Sequence, residues 1–139
     1  MSKKRVLFVC THNSARSQMA EGILRHLYGN RYEVFSAGAY PTKVDPHAIG
    51  ALKDVGIDIS DSRSNSLVEF LGEKCKRFDF VVTVCDKAKE TCPFFPGDGK
   101  RIHKSFQDPA TVDDESERRD AFRRVRDEIE AWIRVEFGE

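Results

Sequence analysis

The sequence predicts one α/β domain over residues 1–139, a four-stranded parallel sheet in the order 2-1-3-4 flanked by helices. Three observations predict it. Strand-length apolar runs alternate with helical periodicity along the chain, and that alternation gives parallel strands joined by right-handed crossovers. No internal repeat, low-complexity segment or linker composition divides the sequence. Chemically distinctive residues follow three of the four runs, at the edge where open α/β sheets bind ligands.

Arg5 to Cys10 is read as a strand buried on both faces, because a continuous apolar run starts at Val6 and ends on Cys10. Ser17 to Tyr28 sets Met19, Ala20, Ile23, Leu24 and Leu27 at helical spacing, and Gly29-Asn30 stops it. Tyr32 to Ala37 is the second strand, followed by Gly38. Asp45 is placed to cap a helix from His47 to Val55, with Pro46 at its first position. An irregular polar stretch leads to a short helix from Leu67 to Lys74. Phe78 to Val84 is the most apolar strand and ends on Cys85. Asp86 to Thr91 holds helix formers, and Cys92-Pro93 ends them. Arg101 to Phe106 is the fourth strand, with Asp108-Pro109 just beyond. Ser116 to Phe137 is a long amphipathic helix. Phe122, Val125, Ile129, Trp132 and Ile133 share one face, and Glu117, Arg124, Asp127 and Glu130 form a solvated one.

Basic and acidic residues number 23 each, so nothing in the charge argues for a nucleic-acid or membrane partner. No long apolar segment or signal peptide precedes the first strand, and a cytoplasmic location is expected. Four cysteines in that compartment read as reactive thiols or metal ligands before a structural disulfide framework.

The first strand delivers Cys10 to the loop Thr11-His12-Asn13-Ser14-Ala15, which opens a helix at Arg16-Ser17. Such a loop turns backbone N–H groups inward, and the helix start adds partial positive charge. Arg16 can clamp an oxyanion with two parallel hydrogen bonds. A cysteine in that field is a thiolate and a nucleophile. Ser17 either donates to that thiolate or caps the helix. Asn13 either holds a left-handed turn or is an ordinary loop residue. His12 adds positive charge to the loop or faces solvent. Asp108 is a general acid at the strand-four edge, or one half of a common turn pair.

Cys85 and Cys92 admit three readings. They are a buried strand-end cysteine and a loop cysteine, half of a zinc site with His103 or Cys75, or a resolving pair. A helix between them would hold their α-carbons about 10 Å apart. A disulfide needs roughly 4.4–6.8 Å, so pairing requires that segment to unwind or loop. Cys85 itself lies one strand spacing from Cys10, about 4.8 Å between backbones. Cys75 is read as incidental.

Cys10-x5-Arg16-Ser17 with Asp108-Pro109 late in the chain resembles the low-molecular-weight protein tyrosine phosphatase fold. The longer run from Cys10 to Gly22 is similar to the thioredoxin-coupled arsenate reductases built on that fold. So are Ser36-Ala37-Gly38, Val55 to Ser60, Val81 to Cys85 and Arg124 to Ile129. The resemblance implies that Cys10 attacks arsenate held by Arg16 and the loop amides, while Asp108 protonates the departing oxygen. It implies that Cys85 then attacks Cys10 and releases arsenite, and that Cys92 takes over the disulfide, which thioredoxin reduces. No cofactor or resident metal is expected, and phosphate or sulfate should compete with arsenate. Some members hold potassium beside the loop through residues matching Asn13, Glu21 and Ser36, plus an aspartate where this chain has Asn65. The amide removes a charge from such a site. Some relatives carry a further cysteine where this chain has Ala15, and some a glycine at His12.

Two rival functions follow from the same residues. A phosphatase acting on phosphotyrosine or small phosphate esters needs Cys10, Arg16 and Asp108 alone. It leaves the Cys85/Cys92 pair without a purpose, and Ala110 stands where an aromatic would stack on a phosphotyrosine ring. A non-enzymatic thiol protein that binds arsenite or zinc gives no reason for the anion loop.

Overall fold

The computed structural model describes residues 3–70, 77–86 and 99–138. The first apolar run forms β1 (Lys4–Cys10), whose last five residues are buried. The helical pattern after the loop becomes α1 (Arg16–Tyr28). Next come β2 (Tyr32–Gly38) and α2 (Pro46–Lys53), with the Asp45 carboxylate accepting from the His47 N–H as its cap. The sheet continues with β3 (Phe80–Thr83) and β4 (Lys100–His103), and the chain closes on α3 (Glu115–Phe137).

The strands lie in the order β2-β1-β3-β4, all parallel. β1 is therefore central, which explains its unbroken apolar run: both of its faces are covered. The registers pair Cys10 with Gly38, Val9 with Thr83, and Thr83 with His103. All these residues consequently sit at one carboxyl edge of the sheet.

One core joins the elements. Phe8, Leu7, Met19, Ile23, Leu24, Phe122, Ile129 and Ile133 are fully buried. Phe137 anchors the end of α3, its ring centroid 5.3 Å from that of Tyr32, 5.5 Å from that of Phe80 and 5.9 Å from that of Trp132, all edge to face. Edge-to-face pairs of this kind add to area burial. Among the described residues, no helix is long and apolar enough to cross a membrane.

Several boundaries differ from expectation. β4 stops at His103, short of Phe106, because it is an edge strand whose residues are largely exposed. The chain still follows β3 beyond it, with Lys104 N–H on the Thr83 carbonyl and Phe106 N–H on the Val84 carbonyl. The segment from Leu67 forms a 3₁₀ turn to Phe70, and residues 71–74 of the expected helix lie outside the described residues. So does the expected helix beyond Asp86, with Cys92, and so does Cys75. On α3 the buried face includes Arg126, whose Nη1 donates to the Ala51 carbonyl at 2.8 Å and whose Nη2 meets Asp127. A periodicity count of apolar residues misses an arginine that buries its stem and satisfies its head.

Candidate active site

Cys10 ends the central strand and is 4% exposed. Its thiol is held well below the usual thiol range. A hydrogen bond from the Cys85 side chain is the largest cause, with further contributions from the Ser17 hydroxyl, the Arg16 charge and the Ser17 backbone N–H. Burial acts the other way and is overcome. The expected thiolate is thus supported by its surroundings, and the hydroxyl of Ser17 serves the thiolate and does not cap the helix.

The loop keeps its shape through Asn13, whose φ of 49° is left-handed. Asparagine tolerates that conformation better than other side chains bearing a Cβ. The Asn13 side chain is fully buried, and its amide donates to Ser17 Oγ at 2.8 Å. Its Oδ1 accepts from Gln18 Nε2 at 3.0 Å and from the Asn65 N–H at 2.8 Å. Its carbonyl takes the Ser64 hydroxyl at 2.8 Å. Gln18 and Ser64 carry no sequence signal as supports of the loop, and Asn65 is singled out by sequence only at a potassium site: polar residues in a helix and an irregular loop give no periodic signal.

An outer strap completes the loop. The N–H groups of Tyr40, Thr42 and Asp45 donate to the carbonyls of Thr11, His12 and Ser14. Three loop carbonyls are thereby turned outward and satisfied, which leaves the N–H side for an anion. The His12 ring joins the strap through Nδ1, 3.0 Å from the Tyr40 carbonyl. Gly38 makes the close approach possible. A Cβ there would stand 2.6 Å from the Thr11 carbonyl oxygen and 2.8 Å from both the Asn13 nitrogen and the Cys10 carbonyl oxygen. The helix start at Ala15 has no side-chain cap, so its first donors also face the site.

Arg16 reaches over from α1. Its Nη1 donates to the Phe106 carbonyl at 3.0 Å, and its Nη2 lies 3.5 Å from an Asp108 carboxylate oxygen. Asp108 itself caps the turn Pro109–Thr111, accepting the Ala110 N–H at 3.0 Å. Turn residue and site residue are therefore the same aspartate. Cys10, Arg16, Asp108, Thr42 and Ala110 border a hollow of about 130 Å³, the scale of a small oxyanion. A wider cleft of about 470 Å³ adjoins it, bordered by Cys85, Thr11, His12 and Asp108. Cys85 is buried, with its sulfur 3.5 Å from the Thr11 hydroxyl. Another hollow of about 470 Å³, between α2 and α3, is lined by His47, Arg119 and Arg123 and holds no thiol.

The residues do not fit a potassium ion. The Ser36 hydroxyl donates to one oxygen of the Glu21 carboxylate, and the Arg25 guanidinium binds the other. Arg25 also donates to the Val34 carbonyl at 2.7 Å. The Asn65 amide donates to the Ser36 carbonyl at 3.2 Å, so this position presents a donor where a carboxylate would ligate. A fixed guanidinium already supplies the positive charge. For zinc, no three His, Cys, Asp or Glu side chains converge among the described residues. Both ring nitrogens of His103 are engaged, by Thr83 and by Asp86.

The family model of the low molecular weight phosphotyrosine protein phosphatases matches residues 5–135. The chain is 46% identical over 143 aligned residues to the arsenate reductase of Shouchella clausii, covering 100% of both. An arsenate reductase solved in the phosphate binding state superposes with a TM-score of 0.70 at 29% identity, over 95% of each chain. The thioredoxin-dependent arsenate reductase of Corynebacterium glutamicum superposes with a TM-score of 0.67 at 27% identity, over 99% of this chain and 64% of that one.

Proposed function

Because the chain belongs to the low molecular weight phosphotyrosine protein phosphatase family, we propose that it is an arsenate reductase working through a relay of thiols. The observation that carries this reading is a second buried thiol beside the nucleophile: Cys85 follows β3, the strand paired with the one that ends on Cys10, at the same sheet edge. A phosphatase needs no such neighbour. The names borne by its relatives point the same way.

In the first step the Cys10 thiolate attacks arsenate. An S–As bond forms, and the departing oxygen leaves as water with a proton from Asp108. Arg16 and the loop N–H groups of Thr11 to Ser17 hold the remaining oxygens. Cys85 then attacks the Cys10 sulfur. The S–As electron pair passes to arsenic, arsenite leaves, and a Cys10–Cys85 disulfide forms. Two thiols lose the two electrons that arsenic gains. Cys92 takes over that disulfide by attack on Cys85, and a dithiol protein such as thioredoxin reduces the Cys85–Cys92 bond. A cytoplasmic setting supplies that reductant. No cofactor is required by this balance. Phosphate and sulfate share the tetrahedral geometry of arsenate and compete for the hollow.

Replacing Cys85 with serine tests the reading. Multiple-turnover arsenate reduction, coupled to thioredoxin and its reductase, should vanish, while slow hydrolysis of a phenyl phosphate ester by Cys10 survives. Full reduction by C85S would remove Cys85 from the relay. A wild-type protein that hydrolyses esters and never reduces arsenate would establish the phosphatase reading instead.

A further inference from the structure

We infer that His103 is a positioning residue that clamps the chain on both sides of Cys85 and so keeps the Cys85 sulfur on Cys10. The inference deepens the relay proposed above and rests on it for its catalytic meaning.

The clamp follows from register. β3 ends at Thr83, two residues before Cys85, and β4 ends at His103, its register partner. Paired residues on neighbouring strands project on one face, so the imidazole reaches the Thr83 hydroxyl, with Nδ1 2.7 Å from Oγ1. The same ring turns its other nitrogen to the residue after Cys85: Nε2 is 3.0 Å from Asp86 Oδ1. One side chain thus bridges a site before the thiol and a site after it. Backbone bonds hold Thr83 and Val84, from the Lys104 and Phe106 N–H groups on one side and the Val9 carbonyl on the other. His103 adds a grip one residue past Cys85.

The chemistry of the partners makes the clamp indifferent to the charge of the ring. An ionised carboxylate only accepts, so Nε2 carries its hydrogen whenever it binds Asp86. A hydroxyl both donates and accepts. Thr83 therefore donates to a bare Nδ1 or accepts from a protonated one, and both bonds persist in either state. The consequence reaches Cys10, because the Cys85 hydrogen bond is the largest influence holding its thiol low. Loosening Cys85 should loosen that bond too.

The test uses the full-length chain and two readouts. The first is the pH midpoint of Cys10 alkylation by iodoacetamide, which needs no arsenate. The second is the rate of Cys10–Cys85 disulfide formation in a single turnover with arsenate, in a background where Cys92→Ser stops the relay. His103→Ala and Asp86→Ala should each raise the alkylation midpoint and slow the disulfide step about tenfold, within the range that a small misplacement costs. Asp86→Asn retains an acceptor for Nε2 and should stay close to wild type. Asp86 is largely exposed, so its variants keep the test sound if His103→Ala misfolds. Wild-type values of both readouts in Asp86→Ala and in a folded His103→Ala would overturn the clamp. Absence of arsenate reduction in the wild-type chain would instead remove the relay, and the alkylation midpoint would still decide the clamp.

Discussion

The side-chain amide of Asn13 donates to the Ser17 hydroxyl across 2.8 Å, with both residues fully buried. A lone pair of Ser17 is thereby occupied, and its proton is directed to the Cys10 sulfur. Substituting Ser17 with alanine should raise the pH midpoint of Cys10 alkylation, and Asn13→Ala should do so as well although it never touches the sulfur. An unchanged midpoint in both would mean that Cys85, the helix start and Arg16 suffice.

The lowered Cys10 thiol also has a stability signature. Its folded-state value lies below its unfolded one, so the thiolate stabilises the fold at pH above the ordinary thiol range. That contribution fades as pH falls through the folded-state titration. Urea unfolding of wild type and Cys10→Ser across this range should therefore diverge in slope as pH rises, with wild type gaining relative stability. Parallel curves would refute the assignment.

Gly38→Ala should damage the anion loop more than the sheet. The added Cβ meets three backbone atoms of the loop at under 3.0 Å, none of which can swing aside. We expect a cost of about 1–3 kcal/mol from overpacking and loss of protection of Cys10 by arsenate or phosphate in alkylation assays. Retained protection would show that the loop adapts.

Arg16→Lys should lower turnover about a hundredfold, because a point charge replaces a planar fork held against the Phe106 carbonyl and Asp108. Steady-state kinetics with arsenate and with a phosphate ester should show similar losses, since both substrates use the same clamp.

Potassium should leave the protein unaffected. Melting temperature and arsenate reduction measured in potassium or choline salts at equal ionic strength should coincide. Stimulation or a higher melting temperature in potassium would show that the Arg25–Glu21 pair yields to the ion.

The strand order and the gathering of Cys10, Cys85 and Asp108 at one edge were legible, because apolar periodicity and the parallel rule act at the length scale of whole elements. The helix at Asp45-Pro46 was legible for the same reason, being a local preference that tertiary packing did not oppose. What escaped was the second layer of the loop. Gln18, Ser64, Asn65 and the strap from Tyr40 to Asp45 act through single hydrogen bonds between segments far apart in sequence. Spacing along one chain carries no trace of such contacts. His103 was considered as a metal ligand, and its two partners emerge only once β3 and β4 lie side by side.

The placement of two thiols on adjacent parallel strands has a mechanical side. A bond between Cys10 and Cys85 would staple the centre of the sheet and close a loop running from residue 10 to residue 85. Cross-linking a chain over such a span removes unfolded-state entropy worth about 4 kcal/mol in the chain-entropy model. In the proposed relay, the intermediate caught between arsenite release and attack by Cys92 would then be hardier than the resting enzyme. Replacing Cys92 with serine would block the hand-over and hold the protein in that stapled form, which should resist heat and protease better than the reduced chain.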